Sequence, residues 1–367
     1  MAYQRGMGMR TVADAAHLGR NNNFDFLRFV AATGVVYSHS YPLATGHEGD
    51  VIARLTDSQW TVGDIAVGVF FIISGFLITQ SWLRLKSLRR YVWARFLRIV
   101  PALAVVVVLS VVVLGPLVTT LTTADYFTSA QTWTYLLNVV PVGTQYALPG
   151  VFGANPEGSG VNGSLWTITP EIWCYAAVAG IALIGLLRRR WAVAAGYCAY
   201  VAVYVFCGMT GRLGPILVSF GALVLYFGAG MLLCLFADTV PLSGWVGGAM
   251  LVCGCGLDVV LHSGLMYPVV FTLFGAYPLL VIAFSRRVDL HNFSKWGDFS
   301  YGMYIYAFPI QQLIVWYSIG YGQIVSPMVL AGVSLVATLV CAAVSWHLVE
   351  APCLRYKQSW LGRKMAA

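Results

Sequence analysis

Apolar runs of spanning length recur along this chain from Phe24 to His347, separated by short polar segments, and that alternation predicts membrane helices. Ten spans are expected, at about 24–43, 62–82, 99–118, 165–187, 191–208, 215–235, 244–261, 266–285, 299–319 and 327–347. The expected fold is all-α, a polytopic membrane bundle of about ten transmembrane helices, because a helix satisfies its own backbone in lipid. The longest stretch between spans is about 119–164, and its WTYLLNVV piece is too short to cross. That piece is expected to lie in the interface or dip back in. The pattern divides the chain into an N-terminal segment 1–23, one transmembrane domain 24–352 and a basic tail 353–367.

Composition agrees, with 59% hydrophobic and 10% charged residues leaving no stretch suited to a soluble domain. Charge then fixes orientation. With the N-terminus inside, the cytoplasmic segments collect Arg5, Arg10, Arg20, the run from Arg84 to Arg98, Arg188 to Arg190, Arg286, Arg287, Lys295 and the basic tail. With Arg28 at the inner end of the first span, only Arg54 and Arg212 fall outside, so 20 of the 22 Lys and Arg share one side and both termini are expected in the cytoplasm. The net charge of +8 is therefore a topology signal and an attraction for anionic headgroups, not a sign of nucleic-acid binding. The first 23 residues lack an apolar core and a small-residue cleavage site, so the first span is expected to remain. Cys253 and Cys255 are too close for a metal finger and read as packing residues; no metal site is expected. The chain shows no internal repeat, which weighs against an inverted-repeat transporter.

Against this apolar background the ionisable positions stand out, since charge inside a bilayer is costly and marks function. Arg28 and His39 share the first span eleven residues apart, close to three helical turns, so they share a face about 16 Å apart in rise. The plain reading is an Asp25–Arg28 anchor plus a histidine bonded to a neighbouring helix. The sharper one is an anion contact at the inner end and a general base deeper in. Arg95 and Arg98 open the third span at i and i+3 and can grip one polyanion, although positive-inside anchoring explains many arginines at such places. In GVFFIISGFLIT, Ser74 and Gly75 suit close helix packing. NGSLWTITPEIWCY brings Glu171 into the fourth span at a depth similar to His39, which permits a carboxylate–imidazole pair. Tyr301, Tyr304 and Phe308 form a stripe that reads first as packing. His347 and Glu350 close the last span at the cytoplasmic rim.

Taken in order, Arg28 with ten residues before His39, GVFFIISGFLI, Arg95-x-x-Arg98 followed by Ile99 and Pro101, SLWTITPE, SYGMYIYAFP and VEAP resemble the acyltransferase family 3 membrane proteins from Phe24 to Pro352. Members of that family move an acyl group, usually acetyl from acetyl-CoA, onto hydroxyls of sugars and other secreted molecules. The resemblance implies that His39 is the catalytic histidine and Arg28 its motif partner. It also implies that Arg95 and Arg98 serve acyl-CoA and that Glu171 is the glutamate of the SLW motif. Two positions depart from the pattern: Ala307 stands where many members have a histidine, and Ile172 where a second glutamate is common.

The expected function is thus a membrane O-acyltransferase, most simply an O-acetyltransferase. It would carry an acyl group from acyl-CoA, a co-substrate rather than a bound cofactor, to a glycan or lipid-linked sugar acceptor in an exopolysaccharide or surface glycan. His39 would either deprotonate the acceptor or take the acyl group first. Trp166 and Tyr304 are the acceptor-side candidates, and the expected location is a bacterial inner membrane. The rival is a glycolipid or anion transporter or flippase, which would need comparable gates on both faces, whereas here charge gathers on one.

Overall fold

A computed structural model describes residues 10–16, 22–140, 143–212, 214–285, 287–288 and 290–356. Arg5, Arg20, Arg286, Lys357, Arg363 and Lys364 of the charge pattern lie outside the described residues. The long helices are α1 (Phe24–Thr45), α2 (Val62–Leu85), α3 (Leu88–Leu109), α4 (Ile168–Leu183), α5 (Arg190–Met209), α6 (Pro215–Leu235), α7 (Gly244–Leu261), α8 (Tyr267–Ala283), α9 (Ser300–Gly320) and α10 (Pro327–Ser345). Among the described residues there is no sheet, only the isolated bridges Thr11–Pro241 and Ala147–Gly160. The protein is an all-helical polytopic membrane bundle. Among the described residues six helices are long and apolar enough to cross a bilayer: α2, α3 with its extension to Val118, α5, α6, α7, and α10 with its extension to Tyr356. The ten expected spans therefore meet six helices of that kind; α8 is apolar but shorter, and α4 has only 16 residues.

The helices gather into two compact units. One takes Met1–Arg28, Val67–Arg84 and Cys174–Lys295; the other takes Phe29–Ala66, Leu85–Trp173 and Trp296–Ala367. In the first unit α2 and α6 cross with their backbones in contact. Gly75 faces the Phe227 carbonyl and Gly230 faces the Ile72 carbonyl, so a Cβ at either position would overlap backbone. Small residues permit this because helices in lipid associate through close packing and gain little from hydrophobicity. Phe24, Phe76 and Phe284 form a ring cluster with centroids 5.2 to 5.8 Å apart. Asn23, fully buried, donates Nδ2 to the carbonyls of Ile282 (3.0 Å) and Val288 (2.7 Å), closing the end of α8 where backbone carbonyls lack helical partners.

In the second unit α9 and α10 pack so closely that a Cβ on Gly302 would stand 2.9 Å from Cα of Ala342. α3 runs on through a π turn, Ser110–Leu114, into Gly115–Val118. The Tyr126 hydroxyl donates to the Val111 carbonyl at 2.9 Å inside that turn, so the carbonyl displaced from the regular ladder is satisfied. A second π turn, Trp346–Glu350, follows α10. Such turns cluster at functional positions, and this one carries Glu350.

Gly75→Val is expected to lower stability by roughly 1–3 kcal/mol through overpacking, whereas Gly248→Val, with nothing within 4 Å, should cost far less. Thermal unfolding of the purified protein in micelles reads the difference, and equal melting of the two variants would contradict the backbone contact.

Candidate active site

α1 is continuous from Phe24 to Thr45 and carries both Arg28 and His39. Pro42 sits inside it and has no N–H to offer the Ser38 carbonyl, so the regular ladder is interrupted beside His39. Other groups hold this stretch in place. Asp50, fully buried, accepts from Ser38 Oγ at 2.6 Å and from the Val62 amide at 2.8 Å through Oδ2. Its Oδ1 takes the amides of Ile52 and Ala53 at 2.9 Å, capping the short helix Val51–Leu55. One carboxylate thereby fixes the residue next to His39 and the start of α2. From the other side, Gln311 of α9 donates Nε2 to the Val36 carbonyl (2.8 Å) and to Ser40 Oγ (2.7 Å).

The His39 ring meets Phe308 of α9 edge-on, with centroids 5.4 Å apart. Phe308 is in turn backed by Gly163, where a Cβ would come within 2.6 Å of the ring. Gly163 belongs to the 3-10 turn Gly163–Thr167 that carries the SLW residues. That turn is tied to α9 through another proline. Pro309 cannot donate to the Ile305 carbonyl, and Asn162 Nδ2 does so instead at 2.8 Å. Thr167 Oγ1 and the Tyr304 hydroxyl lie 2.6 Å apart, and the Glu171 carboxylate is close enough to act electrostatically on Tyr304. His39 Nδ1, Asn162 Oδ1, Ser164 Oγ and Gln311 Oε1 are buried with no hydrogen-bond partner among the described residues. Leaving such groups unsatisfied costs free energy, and these four lie on the elements around one histidine.

The second unit therefore joins His39, Phe308, Tyr304 and the turn before Glu171. Nδ1 of His39 has no hydrogen-bond partner among the described residues, and Glu171 acts electrostatically on Tyr304. Trp166 is half-buried in the same turn. Arg95 and Arg98 lie near the start of α3 and differ in setting. Arg98 pairs with Asp298 at 2.5 Å and with the buried Glu350 at 3.6 Å, and its guanidinium stands 5.7 Å from the Tyr301 ring. It acts as a bolt between α3, α9 and the π turn after α10. Arg95 is half-buried. Arg28 belongs to the first unit, at the half-buried start of α1, where Asp25 accepts from Ser294 Oγ at 2.6 Å.

The sequence gives no role to Asp50, Asn162 or Ser164, and it places Gln311 only with the packing stripe of Tyr301, Tyr304 and Phe308. Asp50 carried a signal, an N-cap residue directly before an apolar run. Asn162 and Gln311 carried none, because their partners lie far along the chain.

Long apolar helices around this polar centre define a multi-pass membrane protein. Residues 21–347 match the family of the acyltransferase domain, and the chain belongs to that family, acyltransferase family 3. It is 28% identical over 384 aligned positions, 95% of this chain and 97% of the relative, to the protein named Nodulation protein 10 of Rhizobium leguminosarum bv. viciae. It is 26% identical, over 90% of this chain and 95% of the relative, to the O-acetyl transferase of Shigella phage Sf6. No solved structure matches the chain. The protein is accordingly a membrane acyltransferase.

Two outcomes follow from the geometry. Arg98→Ala would leave Glu350, 3% exposed, without its cation, and should cost roughly 3–5 kcal/mol. Arg98→Ala combined with Glu350→Gln should recover part of the loss in a thermal melt, and an Arg98→Ala protein melting like the parent would show that the pair carries no weight. Between α1 and α2, partial burial and then the carboxylates of Asp64, Asp50 and Glu157 push the Glu48 carboxyl up from 4.5 to about 7. Across that window the folded chain holds more proton than the unfolded one, so stability falls as pH rises from 4.5 to about 7 and then levels. Solvent screens part of this effect. Glu48→Gln should therefore raise the melting temperature at pH above about 7 and leave it nearly unchanged near pH 4.5; no difference at the upper pH would contradict it.

Proposed function

We propose that the protein is an O-acyltransferase, and specifically an O-acetyltransferase, that carries an acyl group from acyl-CoA to a sugar hydroxyl of an exopolysaccharide or surface glycan. The observation that carries this reading is the buried Nδ1 of His39, for which no protein group competes, on a ring seated against Phe308. A relative named as an O-acetyl transferase supports the choice of an oxygen acceptor. The SLW turn, with Asn162, Ser164 and Trp166, offers hydrogen-bonding groups and an aromatic face of the kind a sugar ring uses.

In this reading His39 acts as general base. It takes the proton of the acceptor hydroxyl, whose oxygen attacks the thioester carbonyl. The C–S bond then breaks, CoA leaves as a thiolate, and the proton on His39 returns to it. Glu171, beside Tyr304 and Thr167, orients the acceptor side and favours positive charge forming nearby. Arg95 holds CoA phosphates at the start of α3. Arg98, engaged by Asp298 and Glu350, keeps that end of the helix in register. Arg28 holds the inner end of α1, which carries His39 further along. The setting is a bacterial inner membrane, with acyl-CoA arriving from the cytoplasm.

The deciding assay follows release of free CoA from acetyl-CoA by purified protein with and without glycan acceptor. His39→Ala should lower transfer by about 10²–10⁴-fold without moving the melting temperature. Glu171→Gln should lower turnover and alter the acid limb of the pH–rate profile, with little change in acetyl-CoA affinity. Near-normal turnover of His39→Ala would overturn the reading, and an acyl group recovered on His39 would replace direct attack with a two-step route.

A further inference from the structure

The unit that includes Cys174–Lys295 holds a cavity of about 510 Å³ on the rim that the charge pattern places in the cytoplasm. Arg10, Trp245, Val281, Phe284, Ser285 and Arg287 line it. None of these residues takes part in the site around His39.

Its walls are fixed from several directions. The N-terminal segment is laid along the α6–α7 connection by two backbone bonds, Leu242 N to Arg10 O at 2.8 Å and Val12 N to Val240 O at 2.9 Å. The Tyr277 hydroxyl donates to the Pro241 carbonyl (2.7 Å) and accepts the Ser243 amide (3.0 Å), clamping that connection to α8. Arg10 is thus delivered to the cavity by paired backbone. On the opposite wall, Ser285 Oγ accepts the amides of Arg287 (3.2 Å) and Val288 (3.3 Å), which sets the backbone of the second arginine.

The chemistry of the lining is divided. Val281 and Phe284 give it apolar surface at the end of α8, Arg10 and Arg287 give it two guanidinium groups, and Trp245 of the same lining is 92% exposed. Gly244 at the start of α7 opens on the same space, adding the positive end of an 18-residue helix. Two arginines prefer an oxyanion that offers several acceptors, and phosphate is the anion that geometry fits. Apolar surface in the same lining as the two arginines further asks that the phosphate carry an organic body.

We propose that this cavity binds a phosphate-bearing organic anion, with Arg10 and Arg287 taking the phosphate oxygens and Trp245 covering the attached group. Two sources share this chemistry: the headgroup of an anionic phospholipid in the surrounding leaflet, and the nucleotide end of CoA. Only the second rests on the acyl-CoA reading above.

The test uses full-length purified protein and reads binding, not transfer, so it stands apart from the assay of function. Phosphatidylglycerol and phosphatidylcholine are compared by native mass spectrometry, and adenosine bisphosphate is titrated by calorimetry. Arg10→Gln and Arg287→Gln should each weaken one probe roughly tenfold or more, the size expected for a lost charge-assisted contact. Arg287→Lys should retain more binding than Arg287→Gln. Loss confined to phosphatidylglycerol assigns the site to lipid, and loss confined to the bisphosphate assigns it to the nucleotide. As a check that spares the arginines, Trp245→Phe should remove part of the fluorescence change that the bound probe causes. Wild-type binding of both probes by both glutamine variants, or no preference of the parent for either probe over phosphatidylcholine, would overturn the proposal.

Discussion

A proline inside a membrane helix leaves one backbone carbonyl without its N–H, and in lipid that carbonyl must find another donor. In α9 the proline is Pro309, the carbonyl is that of Ile305, and the donor is Asn162. The bond holds the turn carrying Ser164 and Trp166 against the helix that carries Tyr304 and Phe308. Phe308 then sets the ring of His39. A requirement of backbone chemistry thus docks the SLW turn, and the polar centre of the second unit is organised around it. Pro42 interrupts α1 in the same way three residues after His39, where Asp50 and Gln311 supply the bracing.

Buried charge is handled by a second arrangement. Glu350 is almost fully buried, and Arg98 reaches it while also binding Asp298. An unpaired carboxylate there would be expensive. The partner is drawn from α3, and the carboxylates come from the lead into α9 and the π turn after α10. The arginine that the sequence offers as half of an anion clamp therefore also ties three segments together. Arg95, one turn earlier on the same helix, is half-buried.

The first unit is held chiefly by close approach, with glycines of α2 and α6 set against each other's backbone carbonyls. Gly75 of α2 was recognised as a packing residue because small residues beside aromatic bulk signal crossing helices. Its partner Gly230 lies more than 150 positions later, in a helix whose sequence gives no register for the crossing.

Sequence alone determined the class and the order of the helices, and it named candidates for the chemistry. Each of these is a local property: apolar run length against bilayer thickness, the side on which arginines gather, and short motifs such as the spacing of Arg28 and His39. It also brought out Glu171 through the rarity of charge within spans. What it could not determine was who touches whom. Depth counting permits Glu171 beside His39; in the fold its charge acts on Tyr304, and Nδ1 of His39 has no hydrogen-bond partner among the described residues. Counting along helices fixes height in the membrane but not rotation about the helix axis. Rotation is decided by packing between segments distant in sequence, as Asn162 with Ile305 and Gln311 with Val36 show. These contacts are specified by shape and hydrogen-bond geometry in three dimensions, and only the tertiary structure brings them together.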